Sequence, residues 1–132
     1  MKITREQLVD LLTTATYGSD WLEIKTLKSE KSLDESFDAN YLNERCREDK
    51  WVDRLLCGGR IVCLDWYRAE DYEDEKPIGI VLSLRDMEDA IERATTDRGI
   101  VRECAEWLVG DGDYYTANNL LQYIMFGEVI YG

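Results

Sequence analysis

The chain has 132 residues, with 28 acidic against 16 basic side chains, a formal net charge of −12 and no histidine. A field of that sign repels phosphate backbones and anionic lipid, which argues against direct nucleic-acid binding and membrane adsorption. The missing imidazole excludes every Ser-His, Cys-His and His-ligated metal arrangement and removes the commonest general base.

Hydrophobic residues make up 45% of the chain and aromatics 11%. That is enough apolar surface to offset ordering entropy around one core, so a single globular domain is expected. No apolar run is long enough to cross a bilayer, and MKITREQLVD puts charge where a signal peptide needs an apolar core, so a cytoplasmic location is expected. Cys46, Cys57, Cys63 and Cys104 form no C-x-x-C pair and lie in apolar or helical patterns, which predicts reduced core thiols rather than a zinc site.

Thr4 and Gln7 have the spacing of a capping box, and Leu8, Leu11, Leu12 and Ala15 repeat at helical spacing until Gly18. Residues 21–27 alternate, with Leu22, Ile24 and Thr26 opposed to Glu23 and Lys25, as a half-exposed strand does. Residues 28–36 read as a charged surface loop. A longer helix is predicted from Asp38 to about Leu56, with an all-charged middle at residues 47–50 that interrupts its apolar ends.

Cys57, Gly58 and Gly59 turn the chain. Residues 60–67 (RIVCLDWY) and 78–84 (IGIVLSL) are apolar on both alternations, the pattern of strands covered on both faces. The connection between them is too short for a helical crossover, so they are predicted to form an antiparallel hairpin. Ser83 and Asp86 offer a capping pattern before a helix faced by Met87, Ala90, Ile91 and Ala94. A further helix after Gly99 turns Ile100, Val101, Cys104, Ala105 and Leu108 inward. Residues 110–113 break it, and Asp113 caps a last helix striped by Ala117, Leu120, Leu121, Ile124 and Met125. Gly127 ends that helix, and EVIYG follows as a candidate edge strand. The prediction is α+β: a small, mainly antiparallel sheet, the hairpin plus one or two edge strands, packed by about five helices.

The candidate site follows from charge. Residues 1–57 hold 9 basic and 12 acidic side chains, residues 58–132 hold 7 and 16, and no basic side chain follows Arg102. Glu70, Asp71, Glu73, Asp74 and Glu75 surround Tyr72 at the expected hairpin tip, while Asp111 and Asp113 precede Tyr114 and Tyr115. Carboxylates interleaved with aromatic rings suit a basic partner that supplies Arg or Lys. No metal ligand set is expected: counted as a calcium loop from Asp111, the fifth and sixth places hold Tyr115 and Thr116 instead of an acid or amide and a glycine. Asp65, between Leu64 and Trp66, is a candidate acid or base, weighed against an end-of-strand aspartate paired with an Arg or a backbone amide. Trp66 is assigned to the core and Tyr72 to solvent.

The expected function is a small acidic, non-catalytic protein-interaction domain, an inhibitor or nucleic-acid mimic for a basic partner, with no cofactor. The alternatives are a carboxylate-based metal-dependent enzyme and an accessory subunit that forms a homo-oligomer. The composition is that of small acidic inhibitors of phage and plasmids, an analogy of composition alone.

Overall fold

The computed structural model describes residues 1–26, 47–67 and 77–131. Among them five helices and one three-stranded sheet form a small α+β fold. In chain order they are α1 (Arg5–Thr16), β1 (Leu22–Thr26), α2 (Arg47–Leu56), β2 (Arg60–Asp65), β3 (Ile78–Ser83), α3 (Leu84–Ala94), α4 (Val101–Leu108) and α5 (Tyr114–Phe126). They divide into two compact units, Ser19–Leu84 and the pair Met1–Gly18 with Arg85–Gly132. The predicted loop at residues 28–36 and the predicted start of the long helix lie outside the described residues, as does Cys46.

In the Ser19–Leu84 unit the strand order is β1-β2-β3, antiparallel throughout. Register puts Leu22 opposite Asp65, Ile24 opposite Cys63, and Cys63 opposite Ile80. Leu22, Ile24, Ile61, Cys63, Asp65 and Leu82 are buried on one face, whereas Val62, Leu64 and Val81 on the other are half-buried or exposed. The expectation of strands covered on both faces is therefore corrected: branched residues on both alternations favour a strand but do not say which face is covered. Helix α2 packs against β1 and β2 and buries Trp51, Val52, Leu55 and also Arg54, and its charged first residues are helical.

Gly58 adopts φ +86°, a left-handed conformation that glycine takes without a Cβ clash, and Gly59 N–H donates to Arg54 O at 2.9 Å to close the end of α2. Cys57 at this turn is exposed, not a core thiol. Cys63 is buried, and burial pushes its thiol up to about 12. Strand β2 ends two residues earlier than predicted, because Asp65 Oδ1 accepts the Tyr67 N–H at 3.0 Å and draws the chain out of the ladder.

In the other unit α1 begins with the predicted capping box: Thr4 Oγ1 accepts from Gln7 N–H and Gln7 Oε1 from Thr4 N–H. Its buried face is Leu8, Leu11, Leu12 and Ala15. The inward face of α4 is Ile100, Cys104 and Trp107, while Val101 and Ala105 are exposed. Trp107 rotates the helix relative to the aliphatic pattern: its large ring is buried and its Nε1–H donates to Gln7 O at 3.2 Å, fixing α4 beside α1.

Helix α5 packs on both α1 and α4 and is buried on most sides. Asp113 caps it and Gly127 ends it at φ +79°, both as predicted. The polar residues on its inner side are satisfied. Asn118 Nδ2 donates to Ala15 O at 3.0 Å, and Gln122 Nε2 donates to Asn118 Oδ1 at 2.9 Å and to Tyr131 O at 3.1 Å. Gln122 Oε1 accepts from the N–H groups of Ile130 and Tyr131, each at 2.8 Å. Residues 128–131 are thus an irregular segment strapped to α5, not the expected edge strand.

Candidate interaction surface

Of the residues selected from sequence, Glu70, Asp71, Tyr72, Glu73, Asp74 and Glu75 lie outside the described residues. Asp111 and Asp113 are described, and both are exposed on the turn between α4 and α5. Gly110, at φ +81°, stops α4 and starts that turn. Gly112 lets the chain pass close to α5, since a Cβ there would stand 3.0 Å from Thr116 Cγ2.

The two aspartates differ in role. Asp113 Oδ1 accepts the Thr116 N–H at 2.9 Å and its hydroxyl at 3.1 Å. These bonds, the amide first, hold the Asp113 carboxyl below its ordinary range. The same hydroxyl lies 3.0 Å from Glu106 Oε2, so its one proton is shared between two carboxylates. Glu106 Oε1 in turn takes the Nε–H of Arg102 at 3.2 Å, which neutralises it locally. Asp111 carries its charge on the exposed tip of the turn.

Large apolar side chains border these charges. Val109 is 72% exposed and Tyr115 68%, and the Tyr115 ring meets Tyr114 edge to face at 5.5 Å. Beside Val109 a groove of about 380 Å³ runs between α1 and the end of α4, with Glu6 and Asp10 on the α1 side and Trp107 at the base. Glu6 and Asp10 also line a second groove of similar size along α1, together with Arg5 and Val9. Carboxylates four residues apart repel on a helix by about 0.2–0.5 kcal/mol, which an approaching cation would relieve. The carbonyl end of α4 adds partial negative charge at the same groove. The reading from sequence missed Glu6 and Asp10; their spacing of four was the available signal, but the groove exists only because α4 is brought alongside α1.

Asp65 is fully buried as the last residue of β2, and its bond to the Tyr67 amide matches the end-of-strand alternative. Trp66, assigned to the core, is 38% exposed: its N–H still bonds to Trp21 O at 2.9 Å, but its side chain alternates to the open face of the sheet with Val62 and Leu64, opposite the buried Asp65. Among the described residues no group of three or more Cys, Asp or Glu side chains is placed to hold a metal ion, and no helix is long and apolar enough to cross a membrane. Comparisons with protein-family models, with curated proteins and with solved structures find no match to this chain.

Proposed function

We propose that the chain is an acidic protein-interaction module that engages a basic partner through the α4–α5 corner and the adjoining α1 groove. The observation that carries this reading is the pairing of Val109 and Tyr115, both highly exposed, with Asp111 in a stretch that has no basic side chain after Arg102, next to the α1 groove lined by Glu6 and Asp10. Exposed aromatic and aliphatic side chains supply contact area, and the carboxylates attract Lys or Arg and speed encounter. The five carboxylates around Tyr72 add to the net negative charge of the chain, which attracts a basic partner at long range. A partner whose own site is basic, such as a nucleic-acid groove, is the class of target that such a surface would inhibit.

The test is titration of the full chain with a fluorescent Lys/Arg-rich peptide at rising salt. The double variant Glu6→Lys, Asp111→Lys is expected to weaken binding by more than about tenfold, a loss of about 1.4 kcal/mol. Asp89→Lys, Asp86→Lys on exposed positions of α3 makes the same change in net charge and is expected to weaken it far less. Equal losses in the two double variants would reduce the effect to bulk charge and refute the assignment to this surface.

A further inference from the structure

Thr116 stands where the end of α4, the turn and the first residues of α5 meet, and it is buried. Its N–H and its hydroxyl both donate to Asp113 Oδ1, at 2.9 and 3.1 Å, and the hydroxyl also lies 3.0 Å from Glu106 Oε2. Its methyl lies beneath the turn, since a Cβ on Gly112 would stand 3.0 Å from Thr116 Cγ2. The turn itself is tied to α4 by the Gly110 N–H on Trp107 O at 3.0 Å and the Asp111 N–H on Glu106 O at 2.9 Å. One small side chain therefore touches α4, the middle of the turn and the cap of α5. The bonds around it are one hydrogen short. A threonine hydroxyl carries a single proton, and here two carboxylate oxygens stand within bonding distance of it. When Asp113 takes the proton, Glu106 Oε2 faces a lone pair. When Glu106 takes it, Asp113 keeps only the amide. The other Glu106 oxygen accepts the Arg102 Nε–H at 3.2 Å.

We infer that Thr116 is the positioning residue of the α4–α5 corner, and that competition between Glu106 and Asp113 for its hydroxyl proton sets how firmly the turn is held. The inference rests on the corner being the contact surface proposed above, because this joint places the exposed Val109, Asp111 and Tyr115 relative to one another. With the proton on the Glu106 side the joint grips α4, and on the Asp113 side it grips the cap of α5. The competition makes a prediction of unusual sign. In Glu106→Gln the side-chain oxygen can keep the Arg102 Nε–H, while the new Nε2–H donates to Thr116 Oγ1. The hydroxyl proton then belongs to Asp113 alone, and every bond in the joint has its own hydrogen. The ion pair that this replacement weakens is exposed on its Arg102 side and contributes little. Removing a charged partner is thus expected to tighten the turn, whereas a joint without competition would loosen.

Two readouts on the full chain test this: hydrogen exchange of the Asp111 amide, which reports the tie between turn and α4, and affinity for the fluorescent Lys/Arg-rich peptide. Thr116→Val keeps the shape and deletes the hydroxyl. It is expected to speed Asp111 exchange and to weaken peptide binding, each by about five- to tenfold, with an unchanged circular dichroism spectrum. Thr116→Ser restores the hydroxyl and is expected to lie closer to the parent in both. Glu106→Gln is expected to slow Asp111 exchange by about two- to tenfold, and to lose that effect in the Thr116→Val background. Asp111 exchange that is unchanged in folded Thr116→Val, that is as fast in Thr116→Ser as in Thr116→Val, or that is faster in Glu106→Gln overturns the inference. So does peptide affinity that Thr116→Val leaves at the parent value. A parent chain that does not bind the peptide refutes instead the reading of the corner as a contact surface, and the exchange rates then decide the joint by themselves.

Discussion

Gln122 lies at the point where the inside of α5 meets the C-terminal segment, and its removal has a consequence that can be worked from distances. The side chain is 1% exposed and uses its full capacity: two N–H donors to Asn118 Oδ1 and Tyr131 O, and two acceptor positions to the amides of Ile130 and Tyr131. Gln122→Leu keeps the approximate volume and deletes all four bonds. Three of the lost partners belong to half-buried residues and regain water once the segment lifts, so their cost is the net value of each bond, about 0.5–1.5 kcal/mol. Asn118 Oδ1 is buried and loses its donor, which costs about 1–3 kcal/mol. Allowing for relaxation, the expected destabilisation is about 2–4 kcal/mol. Gln122→Glu keeps an acceptor for the two amides but turns a carboxylate oxygen toward Asn118 Oδ1 and Tyr131 O. It is expected to cost more at neutral pH than in mild acid, where the carboxyl regains a proton. Urea unfolding followed by circular dichroism gives the free energies, and exchange of the Ile130 and Tyr131 amides reports the strap itself. A loss below about 0.5 kcal/mol, with both amides as protected as in the parent chain, would refute the reasoning.

Two further outcomes follow from titratable groups. The Asp113 carboxyl is held below its ordinary range in the fold, so its contribution to stability is present above the unfolded-state value and is lost as pH falls through the folded one. Asp113→Asn is therefore expected to flatten the acid limb of the urea midpoint against pH; a difference from the parent that stays constant from neutral pH into acid would contradict this. At pH 8 in native buffer, Cys57 is expected to react with iodoacetamide quickly, and Cys63 and Cys104, both buried with raised thiol values, only after unfolding. Peptide mapping by mass spectrometry checks the order, and comparable native labelling of Cys63 and Cys57 would contradict the burial.

The elements that could be read in the sequence are those whose signals are local. Thr4 with Gln7, Asp113 with Thr116 and Gly127 each sit within one helical turn of the group they cap, and the alternation around Ile24 marks β1 without reference to any other element. Missed features depend on partners distant in the chain. Asn118 and Gln122 resemble solvent-facing positions of a helix until Ala15, 103 residues away, and Tyr131 supply their bonds. Trp107 lies outside the aliphatic face predicted for α4, yet it is buried and bonds to Gln7 O, 100 residues away, beside the groove lined by Glu6 and Asp10. The coverage of β2 and β3 was misjudged for a similar reason, since what decides it is where α2 docks. Of the candidate site, the Asp111 to Tyr115 corner was legible as acid beside aromatic, because both lie in one turn.

As proposed, the α4–α5 corner acts as a contact surface with an apolar anchor and not merely as a source of negative charge. The most direct measurement changes its apolar anchor without changing the charge at neutral pH. Affinity for a Lys/Arg-rich peptide is compared between the parent chain, Tyr115→Ala and Tyr17→Ala, the last at a tyrosine 81% exposed on the end of α1. An anchoring role predicts a loss of about tenfold for Tyr115→Ala and an affinity near that of the parent for Tyr17→Ala. Equal affinity in all three chains, or an equal loss in both variants, would contradict it.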